Sequence, residues 1–277
     1  MKKKYFLLVF CILSAFIGPV SADNYPVGAN SSAMSNATVM LPGIWSAYHN
    51  QAGLSGIDVP TIGLHFSNEY FVKELSVKGF VFAYPTRTGT FGLSFTSFGY
   101  SKYNQSKIGL AYSKKLAKTL SVGIQLNYFR TKIGDEYGKS GFASAEIGIL
   151  SEPTKNLLIG AHLIGVWNSK ISDSWTESQP KILRIGVGYR FSPKVTGTTE
   201  VMKDFDMEAQ YKAGLEFEIV TNLILRTGIS LKPIQNSFGV GYRFGGIICD
   251  IGFSRHEILG YSSQISIIYG FSRKGKL

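Results

Sequence analysis

The sequence predicts an all-β fold: a transmembrane antiparallel up-and-down β-barrel of about 14 strands with an N-terminal plug. Three observations carry this reading. First, residues 238–244 read Phe-Gly-Val-Gly-Tyr-Arg-Phe, and residues 185–191 nearly repeat them as Ile-Gly-Val-Gly-Tyr-Arg-Phe. On an extended chain Phe238, Val240, Tyr242 and Phe244 fall on one side, and Gly239, Gly241 and Arg243 on the other. A soluble sheet would bury the first row and wet the second. Here the apolar row ends in aromatic residues and the opposite row is glycine and arginine, which suits lipid outside and a crowded polar lumen inside. Second, the same alternation recurs along most of the chain after residue 60. Third, the connections sort by parity: every second one is tight, and the others are mostly longer and more polar. Outer-membrane barrels do this, with short periplasmic turns and longer external loops, whereas a soluble sandwich has no reason to.

Residues 1–22 open with Lys2, Lys3 and Lys4, continue as an apolar run to about Ile17 and finish on Val20-Ser21-Ala22, the pattern of a secretory signal cleaved before Asp23. Cys11 lies inside that run, so the exported chain keeps only Cys249 and can form no internal disulfide. No later stretch approaches about 18 consecutive apolar residues, so no transmembrane helix is predicted. Stability is left to a closed hydrogen-bonded sheet. The net charge of +11 includes the three signal lysines and Arg273, Lys274 and Lys276 of the tail. The remaining charges are scattered rather than clustered with stacking aromatics, which argues against a nucleic-acid partner.

Residues 23–59 are the predicted plug. Residues 28–54 do not alternate, are rich in small residues and are punctuated by Pro42-Gly43, so two short helical or irregular pieces are expected there. Asn50 and Gly53 read as the end of the second piece, where left-handed backbone is cheap. The barrel is expected over residues 60–271. Its outward rows begin with Ile62, Leu64 and Phe66, then Leu75, Val77 and Val81, then Phe91, Leu93 and Phe95. They continue through Ile108, Leu110 and Tyr112, through Ile124 and Leu126, through Ile147 and Ile149, and through Ile159 and Leu163. A weak segment covers residues 195–201, and the series closes on Ile265, Ile267, Tyr269 and Phe271. Tight turns are expected at residues 85–89, 114–119, 152–156, 192–194, 220–222 and 245–246, with long loops at 130–140 and 167–179. An even strand number would put both termini in the periplasm, with residues 272–277 as a basic periplasmic tail. Tyr112, Tyr128, Tyr189, Tyr242, Tyr269 and Phe271 read as an interfacial aromatic girdle.

The inward positions include Lys78, Lys107, Glu146, His162, Arg184, Arg190, Lys212, Glu216, Glu218, Arg226, Arg243 and Asp250. Both signs occur, which predicts a charge-paired interior rather than a single-sign ion channel. Inward glycines leave room for the plug. Asn36, Trp45, Asn50 and Gly53 are the candidate gate residues, and Glu146, Arg184, Arg226, Arg243 and Asp250 the candidate charges on which the plug docks. His49, His65, His162 and His256 have no second ligand at metal-binding spacing, and no Gly-x-Ser-x-Gly elbow is present. The Gly-x-Gly pairs at 186–188 and 239–241 lie within strands with no helix following, so they serve close packing rather than dinucleotide binding. Neither an enzyme nor a cofactor or metal site is predicted.

The run Met-Ser-Asn-Ala-Thr-Val at 34–39 and the run Trp-Ser-Ala-Tyr-His-Asn-Gln-Ala-Gly-Leu at 45–54 are followed at once by a barrel. Together they resemble the N-terminal hatch of the FadL-like outer-membrane superfamily, and within it the PorV/PorQ-like branch of Bacteroidetes. Hatches of that branch read Gly-Met-Gly-x-Ala and end in Asn-Pro-Ala-Gly-Leu; here Ser35 stands at the second hatch glycine and Gln51 at the proline. The resemblance implies the outer membrane of a Gram-negative bacterium, with outer-membrane lipids, lipopolysaccharide and the barrel assembly machinery as partners. FadL-like members imply passage of a small hydrophobic solute through a plugged lumen. PorV- and PorQ-like members imply instead a non-transporting accessory or scaffold subunit, bound to a partner protein of a type IX secretion or envelope-assembly machinery.

Overall fold

The computed structural model describes residues 25–134, 138–170 and 180–271. The expected signal at 1–22 and tail at 272–277 lie outside the described residues, as does residue range 171–179 of the loop expected at 167–179. Fourteen strands follow one another: β1 (Thr61–Asn68), β2 (Ser76–Pro85), β3 (Thr90–Gly99), β4 (Tyr103–Ala117), β5 (Leu120–Ile133), β6 (Lys139–Ser151), β7 (Leu157–Lys170), β8 (Ile182–Ser192), β9 (Val195–Asp204), β10 (Gln210–Val220), β11 (Leu223–Leu231), β12 (Gln235–Phe244), β13 (Ile247–His256) and β14 (Gly260–Gly270). Each pairs antiparallel with the next, and β14 returns to β1 to close the barrel. Closure leaves no sheet edge, so every strand finds backbone partners on both sides.

The alternation sorts side chains as the sequence implies. Tyr242 and Ile267 are 51% and 43% exposed on the outside, while Asp250, on the opposite face of β13, is 1% exposed. An apolar exterior this continuous is stable only against hydrocarbon. The expected outward row fails on β2. Val77 and Val81 point inward with Gly79 and Ala83, while Phe80, Phe82 and Tyr84 face out. Lys78, expected in the lumen, therefore lies on the exterior. Both phases of this strand are apolar, and the small one wins because Val81 and Ala83 must pack against Val27, Ile44 and Trp45 of the plug.

One end of the barrel, here called the turn end, carries tight connections such as Pro193-Lys194 between β8 and β9 and Thr221-Asn222 between β10 and β11. The other, the loop end, is less extended than expected. β5 and β6 run on to Ile133 and from Lys139, so most of the expected loop at 130–140 is strand. Only residues 100–102, 232–234 and 257–259 separate β3 from β4, β11 from β12 and β13 from β14. The weak segment at 195–201 is a full strand reaching Asp204.

Residues 25–60 occupy the lumen. They contain a short helix at Ala29–Ala33, another at Ser46–His49 and a 3₁₀ helix at Gln51–Gly56. The described chain begins at the loop end, not the turn end: the Tyr25 ring stacks on Phe98 at 4.1 Å and its hydroxyl donates to Gln105 Oε1 at 2.9 Å. The first and last described residues, Tyr25 and Phe271, thus lie at opposite ends, because the plug threads the barrel from loop end to turn end before β1 starts; the termini themselves lie outside the described residues.

Candidate functional site

The plug is shaped by local backbone chemistry. Ser35 and Asn36 adopt left-handed φ values of 51° and 59°, and they reverse the chain after the first helix, where Asn36 N donates to Ser31 O at 2.8 Å. Asparagine tolerates this region better than most residues, and serine here takes a position where glycine would be unstrained. Asn50 is extended, with φ −178°, so its role is not the left-handed one expected. Its amide donates to Val39 O at 2.7 Å and to Ile149 O at 2.9 Å, while its Oδ1 accepts from Ala52 N at 3.2 Å and starts the 3₁₀ helix. Gly53 lies inside that helix and not at a left-handed end; a Cβ there would collide with Ser46. Close approach also explains inward glycines of the wall. A Cβ at Gly148 would overlap the Asn50 side chain, and one at Gly160 would overlap the backbone of Val39 and Met40.

Two buried carboxylates clamp the plug to β5–β9. Glu200 on β9 accepts Arg184 Nε at 2.7 Å through Oε1, and Thr38 N and Val39 N at 3.0 and 2.9 Å through Oε2. Arg184 completes the clamp by donating through Nη2 to Asn36 O at 2.9 Å. Glu146 on β6 accepts Lys107 Nζ at 3.0 Å and Asn127 Nδ2 at 2.8 Å on one oxygen, and Gln51 Nε2 of the plug at 2.8 Å on the other. His162 Nε2 lies 3.2 Å from that second oxygen. Charge-assisted bonds of this kind are roughly twice as strong as neutral ones, and burial raises the cost of leaving any of them unmade.

The wall from β10 to β14 behaves differently. Arg226 sits directly across from Glu216 in the register and donates to it through Nε at 2.7 Å, and through Nη1 to Asp250 Oδ1 at 2.7 Å. Arg243 pairs with Glu218 at 3.2 Å near the turn end, with its side chain 43% exposed rather than buried. The sequence points all five charges, Glu146, Arg184, Arg226, Arg243 and Asp250, at the plug. Arg184 and Glu146 do bind it, whereas Arg226, Asp250 and Arg243 are hydrogen-bonded within the wall, Arg226 to Glu216 on the adjacent strand and to Asp250 two strands away, and Arg243 to Glu218 two strands away. The plug meets this side through neutral groups: Ala29 N donates to Ser266 Oγ at 3.2 Å, and Ser35 Oγ lies 3.0 Å from Ser237 Oγ.

Two cavities of nearly equal size flank the plug. The turn-end cavity, about 460 Å³, is lined by Asn30, Ser31, Ile44, Trp45 and His49 of the plug and by Arg226, Asp250 and Arg243 of the wall. The loop-end cavity, about 470 Å³, is lined by Tyr25, Ser35, Asn36, Tyr48 and His49 of the plug and by Arg184, Met202 and Lys212 of the wall. Of the four candidate gate residues, Asn36 and Trp45 thus reach a cavity, while Asn50 and Gly53 are packed structural residues. Trp45 Nε1 and Asp250 Oδ2 are buried without a hydrogen-bond partner at the turn-end cavity. His49 touches both cavities and holds Val27 O through Nε2 at 2.8 Å. Burial, with the Arg184 charge beside it, keeps its imidazole well below the ordinary range and therefore neutral. Glu200, Gln51 and His49 take part in the site without standing out as gate or docking residues in the sequence. Glu200 had a signal, since it is an inward carboxylate one strand from Arg184; Gln51 and His49, in a segment without periodicity, had none.

Comparison with known proteins comes from solved structures alone, because no protein-family model and no curated sequence matches the chain. The fold is similar to that of the toluene transporter TbuX of Ralstonia pickettii, with TM-score 0.69, 12% identity, and 88% of this chain and 98% of that chain covered. A FadL homologue of Pseudomonas aeruginosa gives TM-score 0.65 at 11% identity, over 90% of this chain and 99% of that one. The toluene transporter TodX of P. putida gives TM-score 0.66 at 13% identity, over 91% and 100%. The shared property is the closed barrel.

Proposed function

We propose that this chain is an outer-membrane channel for a small apolar or amphipathic solute, captured in the loop-end cavity and released through the turn-end cavity. Residues 29–35 of the plug are the partition that yields between them, with Asn36 at its anchored end. The observation that carries the reading is the pair of matched cavities meeting the same short stretch of plug from opposite sides: Asn30 and Ser31 from the turn end, Ser35 and Asn36 from the loop end. Cavities of several hundred cubic ångströms suit small molecules, and walls that mix apolar with polar and charged groups leave room for an amphipathic one. Residues 29–35 meet β12–β14 through neutral bonds alone, whereas Asn36 O at the end of the stretch is held by Arg184, so residues 29–35 are the part of the plug most easily displaced. The fold shared with two toluene transporters supports a monoaromatic hydrocarbon as the first solute to try.

The test is uptake of labelled toluene by Gram-negative cells that express the chain, measured at low solute concentration against cells lacking it. Uptake severalfold above the control, raised further by deleting residues 29–54, is expected. Uptake equal to the control in both cases would remove the channel. A second reading, the non-transporting accessory subunit of a secretion or assembly machinery, draws on the three-residue connections at 100–102, 232–234 and 257–259, which leave a low loop-end rim for a partner protein. A stoichiometric partner purified with the barrel from detergent-solubilised membranes, together with no solute uptake, would favour it.

A further inference from the structure

Among the described residues, the exterior of the barrel carries a polar area at the loop end of β2–β5 that lipid tails would leave unsatisfied. Lys78 on β2 is directly opposite Ser97 on β3, Ser97 is opposite Ser106 on β4, and Ser106 is opposite Arg130 on β5. Strand alternation turns all four outward, since Phe80, Phe95, Ile108 and Tyr128 occupy the next outward position on the same strands. Each lies within three residues of the loop end of its strand. The serines are joined through Asn104, whose amide donates to Ser97 Oγ at 3.0 Å and whose Oδ1 accepts from Ser106 Oγ at 2.9 Å. Ser97 Oγ thus keeps its own proton for an outside acceptor. Among the described residues neither Lys78 nor Arg130 has an acidic partner. Other outward cations of this rim are engaged: Lys203 donates to Met207 O, Arg255 lies over the Tyr261 ring, and Lys132 and Lys139 have partners of their own.

Directly below Lys78 an apolar groove of about 410 Å³ opens on the exterior, walled by Leu64, Phe66, Phe80, Phe95, Ile265 and Ile267. A cationic and hydroxyl-bearing shelf above an apolar groove is complementary to a molecule with a phosphate-bearing head and acyl chains. Three strand spacings separate Lys78 from Arg130, about 14 Å between their backbone positions, a span that two long cationic side chains can adjust. We propose that this shelf binds a glycolipid of the outer leaflet whose saccharide head carries two phosphates, one near Lys78 and one near Arg130, with an acyl chain in the groove. The proposal rests on the outer-membrane orientation given above, with the loop end toward the outer leaflet.

The test uses the purified mature chain in a neutral maltoside detergent, with bound lipid read by native mass spectrometry against diphosphoryl lipid A and monophosphoryl lipid A. Diphosphoryl lipid is expected to bind at least tenfold more tightly than monophosphoryl lipid. The double variant Lys78→Gln, Arg130→Gln should lose at least tenfold in affinity, and Lys78→Arg should retain it. A charge-matched control at the turn end, Arg87→Gln with Lys194→Gln, should stay within twofold of the unmodified chain. Equal binding of the two lipids, or a double variant that binds as the unmodified chain does, would overturn the site. Solute uptake does not enter this measurement, so loss of the channel and loss of the lipid site are read separately.

Discussion

Two sectors of the lumen wall, β5–β9 and β10–β14, hold the same plug by different chemistry. From β5 to β9 the wall gives its buried carboxylates to the plug, with Glu200 gripping Thr38 and Val39 and Glu146 gripping Gln51. From β10 to β14 the wall spends its carboxylates on its own arginines, and hydroxyls face the plug. An inner surface that looks uniformly charged in sequence is therefore divided into an anchor and a yielding face. The cavities lie along the stretch of plug that the yielding face holds, and that coincidence connects the packing to passage.

The largest expected effect comes from breaking the anchor. Glu200→Ala leaves Arg184 buried without its partner and two plug N–H groups without an acceptor, and should cost about 3–5 kcal/mol. The readouts are thermal unfolding in detergent and protease cleavage within residues 25–60, which should become rapid. Gly148→Val should come next, at about 1–3 kcal/mol, because the added side chain displaces Asn50 and leaves its hydrogen bonds to Val39 and Ile149 broken. Acid should sharpen the comparison. His49 is held neutral in the docked plug, while a displaced plug would protonate near pH 6.5. Docking is thus unaffected above that pH and weakens as pH falls below it, by up to about 1.4 kcal/mol per unit until the docked imidazole itself protonates. The groups facing His49 are Arg184, His162 and Lys212. Cleavage of the plug at pH 5 compared with 7.5 should accelerate in the unmodified chain and accelerate less in His49→Gln. The smallest effect is expected on the yielding face. Asp250→Asn leaves Arg226 bound to Glu216 and should cost about 0.5–1.5 kcal/mol without exposing the plug to protease.

Much of the barrel was legible because a two-residue period survives single errors: rows such as Phe91, Leu93 and Phe95 fix which face of β3 meets lipid. β2 was misread because Val77-x-x-x-Val81 and Phe80-x-Phe82 are both apolar, and only the space left by Trp45 and Val27 chooses between them. The plug's presence followed from inward glycines with nothing of their own to contact. Its anchoring did not follow. Glu200 falls at an inward position, but its stretch Thr-Gly-Thr-Thr-Glu has too little apolar alternation to fix its register against Arg184, and the bond that matters at Gln51, to Glu146, is long-range in sequence. Inward position identified Arg226 and Asp250 as lumen charges, but cross-strand register decided that they bind the wall rather than the plug.

Two engineered cystines test the division most directly, both in a Cys249→Ser background. Ser35→Cys with Ser237→Cys replaces hydroxyls 3.0 Å apart and ties the partition to β12; Ser55→Cys with Ser121→Cys replaces hydroxyls 2.8 Å apart and ties the 3₁₀ helix to β5. Solute uptake is measured oxidised and reduced. The first lock should lower uptake at least tenfold, reversibly with reductant, and the second should leave it within twofold. Undiminished uptake with the first cystine closed would contradict a moving partition on the yielding face.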